Sequence, residues 1–388
     1  MSLVEPGTTA QLSERVSDAF TRLFGRPATV VGRAPGRVNL IGEHTDYNGG
    51  LCLPVALPHA TYAASAIRDD GVLRIASAGF DEAWEGPLSE LTAGSVTGWA
   101  AYAAGVVWAL AEDGLRVPGL DVLLDSTVPV GGGLSSSAAV ECAVAVAVAA
   151  LAGARLDDDL RHRLLAACIR AESEMAGAPT GGMDQAIALF AAPDTALLLD
   201  FGTDSQVAVP LPLDGSGVVL LVINTGVSHA LSDGGYGDRR AECDRAAVLL
   251  EVSSLSEAPG WDTLADDVLV RRTRHILTEN DRVRAVVSSL DAGDWAEVGR
   301  TFAESHASMR DDFEISCAEL DVAVDAAVQA GALGARMTGG GFGGSAVALV
   351  PEERVDAVRR AVDTAYAGQG WKAPTYLEVM PSTAASAL

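Results

Sequence analysis

Three short segments concentrate the groups that could do chemistry. Val128 to Ala139 reads VPVGGGLSSSAA. Gly131, Gly132 and Gly133 free the backbone to bend and to bring N–H groups close to a ligand. Leu134, Ser135, Ser136 and Ser137 then open a long Ala/Val helix, whose first amides and positive dipole end favour an anion. Amides and hydroxyls together make an anion nest that needs no lysine, and one serine could also serve a metal. The plain alternative is a flexible strand-to-helix turn. Three serines within the first helical turn weigh towards phosphate.

The second segment, Gly36 to Pro54, packs Arg37, Asn39, Glu43, His44, Asp46, Tyr47 and Asn48 into one short loop. Carboxylates and an imidazole can exchange hydrogen bonds with a polyol, and directional bonds distinguish hydroxyl epimers. Arg37 could neutralise charge on a transferring phosphoryl group. A metal site through His44 and Asp46 is a weaker reading, since the nearest further histidine is His59. The third segment, Arg336 to Val350, holds a glycine run between two apolar stretches. It implies close backbone approach to a ligand or to another loop, or simply a glycine-rich hairpin. Two acids complete the set. Asp184, in GGMDQ, sits at a turn–helix junction where a carboxylate can cap. Glu172 lies on a helix as a surface charge or an acidic ligand for Mg2+.

The elements that must position these groups are legible in outline. Helices are predicted over 11–24, 99–111, from about 135, and over 156–176, 236–257, 262–290 and 352–367. Strands are predicted over 28–34, 51–68, 120–126, 217–224, on both sides of the third glycine run, and over 375–380. The 28–34 strand is expected to end at Pro35-Gly36. The irregular mixture favours α+β over a regular βαβ repeat. At 388 residues two domains are the default, with a boundary near 200–217.

Absences narrow the chemistry. Lys372 is the only lysine and is followed by Ala373 and Pro374, so neither a P-loop nor the protein-kinase strand lysine is present. The net charge of −25 disfavours nucleic-acid and anionic-lipid partners. Any ATP site must therefore rely on local amides, a metal ion and a few arginines. Five scattered cysteines without a Cys-x-x-Cys pair argue against zinc or a disulfide framework and suit a reducing compartment. No signal pattern opens the chain, and the longest apolar run is too short to span a bilayer.

The loop GRVNLIGEHTDYNGG resembles the galactokinase signature, and VPVGGGLSSSAAV is similar to the ATP-binding motif of the wider GHMP kinase superfamily. MTGGGFGGSAVAL resembles that superfamily's third motif. GGMDQ (181–185), YGDRRAECD (236–244) and ESHASMRDDFEIS (304–316) agree with galactokinases too. The resemblance implies a two-domain α+β fold with the site in the cleft. The N-terminal α/β domain would span 1–205, completed by the segment near 365–388, and the C-terminal α+β domain would span 206–364.

The resemblance also implies roles. Glu43, His44 and Asp46 would bind sugar hydroxyls, with Gly182 and Tyr236 nearby. Asp184 would face the C1 hydroxyl, orient it and take its proton late, beside Arg37. Gly131 to Ser137 would wrap the ATP phosphates, Ser137 and Glu172 would hold Mg2+, and Trp99 and Tyr102 would line the adenine pocket. The implied protein is a cytoplasmic kinase of galactose, a monomer or weak dimer. A kinase of N-acetylgalactosamine or arabinose and a non-catalytic galactose and ATP sensor are the rivals. The polar EHTDYN loop makes a mevalonate or homoserine kinase a poor fit.

Overall fold

A computed structural model describes residues 2–228 and 235–388. Strand β1 (Ser2–Leu3) precedes helix α1 (Thr9–Phe24). A capping box between Thr8 and Gln11 starts α1, left-handed Gly25 ends it, and Leu12, Val16 and Phe20 bury one stripe. Strand β2 (Val30–Asn39) follows, then β3 (Leu51–Cys52), β4 (Pro54–Ile67), and the hairpin β5 (Val72–Ser77) and β6 (Phe80–Pro87). Next come α2 (Ala100–Glu112), β7 (Leu120–Ser126), α3 (Ser136–Leu151) and α4 (Asp158–Arg170). Helix α4 runs into a π-helical turn, Ala171–Met175, before α5 (Met183–Phe190).

The hairpin β8 (Thr195–Asp200) and β9 (Ser205–Pro210) leads to β10 (Val218–Ser228). The second half then comprises α6 (Gly235–Leu250), α7 (Asp267–Ala292), α8 (Trp295–Asp311) and α9 (Ala318–Gln329). It ends with β11 (Gly334–Thr338), β12 (Gly343–Pro351), α10 (Val355–Gln369), β13 (Thr375–Val379) and β14 (Ser386–Ala387).

These strands form three sheets, ordered β14-β2-β4-β7-β5-β6, β1-β13-β10-β12-β11 and β3-β8-β9. Alternation along the strands sends side chains to opposite faces. In the first sheet Val31, Tyr62 and Ala64 meet α1, while Ala34, Ala63 and Val122 meet α2 and α3. Helix α3 is apolar all round because it is buried all round. It also lies directly on β2: a Cβ at Gly32 would stand 2.0 Å from the Ala143 carbonyl oxygen. The second sheet packs one face on α6, α7, α9 and α10. Its other face meets Val38, Leu40, Ile41, Val55 and Leu57, so one apolar cluster joins both halves beneath the 42–50 loop.

One expectation is corrected. Strand β2 does not stop at Pro35-Gly36 but continues to Asn39, with its register to β4 shifting between Pro35 and Arg37. The irregularity absorbs the proline's missing N–H, and the continuation places Arg37 on a strand instead of a loop. The composition shift near 200–217 falls on the β8–β9 hairpin and the turn after it. The last segment divides: β13 pairs with β10 in the second sheet, whereas β14 pairs with β2 in the first.

Candidate active site

Arg37 and Asp184 meet across 147 residues of sequence as a forked pair. Arg37 Nε and Nη2 donate to the two oxygens of Asp184 at 2.8 and 3.0 Å. The third arm, Nη1, donates to the Gly133 carbonyl at 2.5 Å. Such a fork fixes both position and plane of the carboxylate. Ser135 Oγ also donates to Asp184 Oδ2. Ser135 stands at the start of α3 in a left-handed conformation, φ 59°. Its hydroxyl therefore turns to Asp184 instead of capping its own helix, whose first amides have no partner within the helix.

The glycine loop is held from behind. Ser345 Oγ donates to the Gly132 carbonyl at 2.6 Å, and a Cβ at Gly339 would stand 2.9 Å from the Gly133 carbonyl oxygen. The third glycine run thus approaches another loop, the first of the alternatives left open by its sequence. Beside α3, Ser137 Oγ donates to Glu172 Oε1 at 2.9 Å. Gln185 Nε2 donates to Glu172 Oε2 and also to Glu141 Oε2, at 2.5 and 2.9 Å. Burial, with the Asp184 carboxylate adding to it, raises the Glu172 carboxyl to about 7.

Glu172 and Ser137 are oxygen donors in a pocket that penalises uncompensated negative charge. They fit a hard divalent cation of the Mg2+ type. Among the described residues no group of three His, Cys, Asp or Glu side chains could hold a metal. The remaining ligands of such an ion would come from phosphate oxygens and water, as is usual for Mg2+.

The polar loop closes the other side. Asp46 reaches Gly181, where a Cβ would stand 2.2 Å from Asp46 Oδ2, so only glycine fits. Burial raises the Asp46 carboxyl to about 6, with Asp184 contributing. Burial likewise raises the Tyr236 hydroxyl, with Asp46 and then Asp184 adding to it. Tyr236 packs against the polar loop, its ring 5.0 Å from that of His44 and 5.8 Å from that of Tyr47 between centroids. Gly182, φ 98°, opens α5 and delivers Asp184 to Arg37.

His44 is a non-glycine residue at φ 62°. Its Nε2 faces the Gly340 carbonyl at 3.1 Å and its Nδ1 faces Tyr47 Oη at 2.7 Å. A carbonyl only accepts, so Nε2 carries the proton and Tyr47 donates to Nδ1. Burial holds the ring neutral, down to about 3. Glu43 is buried with its carboxylate on Arg336 and on the Gly339 N–H at 3.2 Å. Burial raises its carboxyl and Arg336 offsets part of that rise.

Trp99 stacks on Phe80 at 5.0 Å between centroids, while Tyr102 is held near Glu172 and Glu141, whose charges add to the effect of burial on its hydroxyl. A separate hollow of about 380 Å³, lined by residues including Leu198, Val209, Val287 and Asp291, carries no such convergence of charged groups. Residues that the sequence left unassigned also enter the site. Gly181 was visible as the first glycine of GGMDQ, and Arg336 as the head of the third segment. Gln185 was visible only as the last residue of GGMDQ, and Glu141 carried no local signal.

The chain matches the family profile "Galactokinase galactose-binding signature" over residues 18–67. It matches "GHMP kinases N terminal domain" over 101–192 and "GHMP kinases C terminal" over 286–368. It is 48% identical to a galactokinase of Streptomyces coelicolor, over 96% of this chain and 98% of that one. It is 47% identical to one of Mycobacterium tuberculosis, over 87% and 94%. The Lactococcus lactis galactokinase complexed with galactose superposes with a TM-score of 0.89 at 31% identity, covering 97% of this chain and 99% of that one. A mevalonate kinase at 15% identity and TM-score 0.68, covering 91% of this chain and 100% of that one, shares the fold. With the galactose-binding signature over the polar loop and near-complete overlap with the curated relatives, this sugar kinase belongs to the galactokinase family.

Proposed function

We infer that this chain transfers the γ-phosphoryl group of ATP to the C1 hydroxyl of galactose. The observation that carries the reading is the Arg37–Asp184 fork, set between the glycine loop on one side and Asp46 on the other.

Asp184 Oδ1 accepts one bond, from Arg37 Nε, and keeps a lone-pair direction for a sugar hydroxyl; Oδ2 already accepts two. The C1 hydroxyl donates to Oδ1, its oxygen attacks the γ-phosphorus, and its proton passes to Oδ1 as the bond to ADP breaks. Arg37 keeps Asp184 in plane and lies beside the developing charge on the phosphoryl oxygens. Asp46 and Tyr236 bind sugar hydroxyls on the far side of Asp184, with Gly182 lining that space. Glu43 and His44 join them in binding sugar hydroxyls, held in orientation by Arg336, Gly339, Gly340 and Tyr47.

Gly131 to Ser137 wrap the phosphates with amides and hydroxyls. Ser137 and Glu172 would hold Mg2+, which when bound supplies charge neutralisation on the phosphates. Trp99 and Tyr102 line the adenine pocket, with Tyr102 towards Glu172.

The test is ADP release with a panel of galactose, N-acetylgalactosamine, arabinose and glucose. Galactose should give the highest kcat/KM. Asp184→Asn should still bind galactose within a few-fold and lose turnover by at least about 100-fold. Near-normal turnover in that variant would remove Asp184 from the chemistry. Absence of ADP release with every sugar would instead favour a sensor.

A further inference from the structure

The 42–50 loop has a second set of contacts, on the side away from the cleft. Helix α7 turns His275 and Glu279, four apart, to one side, and Asn280 follows Glu279 towards the same loop. All three are buried, at 0%, 0% and 3% exposure. Each is bonded to the loop's main chain. His275 Nε2–H donates to the Glu43 carbonyl at 3.2 Å. Glu279 Oε1 accepts from the Gly42 N–H at 3.1 Å. Asn280 Oδ1 accepts from the Leu51 N–H at 2.8 Å. A Cβ at Gly50 would stand 2.6 Å from that same Asn280 oxygen, so the helix and the loop are in close register.

Glu279 is the hub of this face. It accepts from Ser305 Oγ at 2.6 Å and from Arg282 Nε at 2.7 Å. Arg336 Nη2 lies 3.4 Å from Glu279 Oε1 and bonds Glu43 with the same nitrogen. Its Nη1 donates to the Leu40 carbonyl at 2.6 Å. Burial acts to raise the Glu279 carboxyl, but Arg282 and Arg336 outweigh it and hold it near 2. The loop therefore enters on a fixed buried charge, Glu279, and leaves on the neutral amide of Asn280. Between these anchors its backbone takes positive φ at Gly42 (100°) and at His44 (62°), a shape that a free loop does not keep.

We propose that the His275–Glu279–Asn280 face of α7, centred on Glu279, sets galactose affinity by positioning the 42–50 loop, without touching the sugar. The proposal rests on the reading of that loop as the sugar-binding one. It assigns the shape of the sugar-binding loop to a helix of the second half.

Glu279→Gln keeps an acceptor for Gly42 and loses the charge. Asn280→Ala removes only the bond to Leu51 and leaves every charge in place. Steady-state kinetics of both variants should show KM for galactose raised about tenfold for Glu279→Gln and severalfold for Asn280→Ala. Both KM for ATP and kcat should stay within about threefold. Asp46→Asn, made in parallel, reports on the loop itself. Unchanged galactose KM in folded Asn280→Ala, with Asp46→Asn impaired, overturns the proposal. Equal rises in both KM values overturn it too, because they indicate general loosening. Unchanged galactose KM in Asp46→Asn would instead sink the underlying assignment of the loop. If Glu279→Gln does not fold, Asn280→Ala decides alone.

Discussion

Asp184 is held by more protein donors than a free base would need, three bonds from two side chains. In the proposed mechanism that arrangement would orient the hydroxyl first, with proton acceptance late in the transfer. The guanidinium plane is central to it, because an ammonium cannot span both carboxylate oxygens and the Gly133 carbonyl together. Arg37→Lys is expected to lower kcat by about 100-fold or more, measured by coupled ADP release under saturating substrates.

Asp46 carries part of the pH behaviour, alongside Glu172. Its carboxyl is raised from 3.8 to about 6, so the folded chain binds a proton there that the unfolded chain has released. Its contribution to stability is fully present below pH 3.8 and is lost as pH rises through about 6. Relative to the parent, Asp46→Asn should therefore gain stability at pH 7.5 compared with pH 5. The gain is on the order of 1–2 kcal/mol, allowing for the partial exposure of the side chain. Urea unfolding of both proteins at the two pH values checks this. Galactose binding should weaken as pH falls below about 6, where Asp46 loses acceptor capacity. Removing the Asp184 charge in Asp184→Asn should move that midpoint lower. An unmoved midpoint would assign the titration to another group.

Close backbone approach does at the element scale what side chains do at the residue scale. Helix α3 can bring its first turn to Arg37 because Gly32 lets it lie on β2. The π-helical turn after α4 inserts one extra residue's worth of rotation and aims Glu172 at Ser137. The two glycine runs touch through main chain alone, so alanine at either has a local effect with a specific readout. At Gly339, φ 89°, a Cβ would stand 2.9 Å from the Gly133 carbonyl oxygen, so a side chain there is strained. Gly339→Ala is expected to raise KM for ATP by at least about tenfold. Gly181→Ala would strike Asp46 instead and should raise KM for galactose by a similar factor. Measuring both KM values for both variants separates the two halves of the cleft. A shared effect on both substrates would refute the division.

At the scale of the whole molecule, both chain ends tie the halves together. Strand β1 pairs with β13, and β14 pairs with β2. Between β13 and β14, Ser382 N–H donates to the Ala56 carbonyl, Ala385 N–H to the Ala188 carbonyl, and Arg33 Nη2 to Ser382 Oγ. Ala385 itself is buried against the α2–α3 core. Deleting residues 382–388 should lower the thermal midpoint by about 5 °C or more, read by scanning calorimetry. The excess of negative charge does not prevent an ATP site, because the cleft supplies Arg37 and the α3 amides locally. Among the described residues no helix is long and apolar enough to cross a membrane.

What the sequence settled by itself was local. The glycine–serine turn before α3, the turn–helix junction before Asp184 and the polar loop announce themselves through turn chemistry within a few residues, although Gly182, not Asp184, caps α5 and the start of α1 was read two residues late. Absence of any lysine motif likewise excluded two other phosphate devices outright. The tertiary structure alone decided how β2 passes Pro35, which face of the polar loop meets the cleft, and what holds the other face. The contact of Glu279 with Gly42 joins residues 237 apart. That of Arg336 with Glu43 joins residues 293 apart. Neither leaves a periodic or compositional trace, because a buried charge is specified by the partners that neutralise it, and these are brought together only when the two halves close on one core.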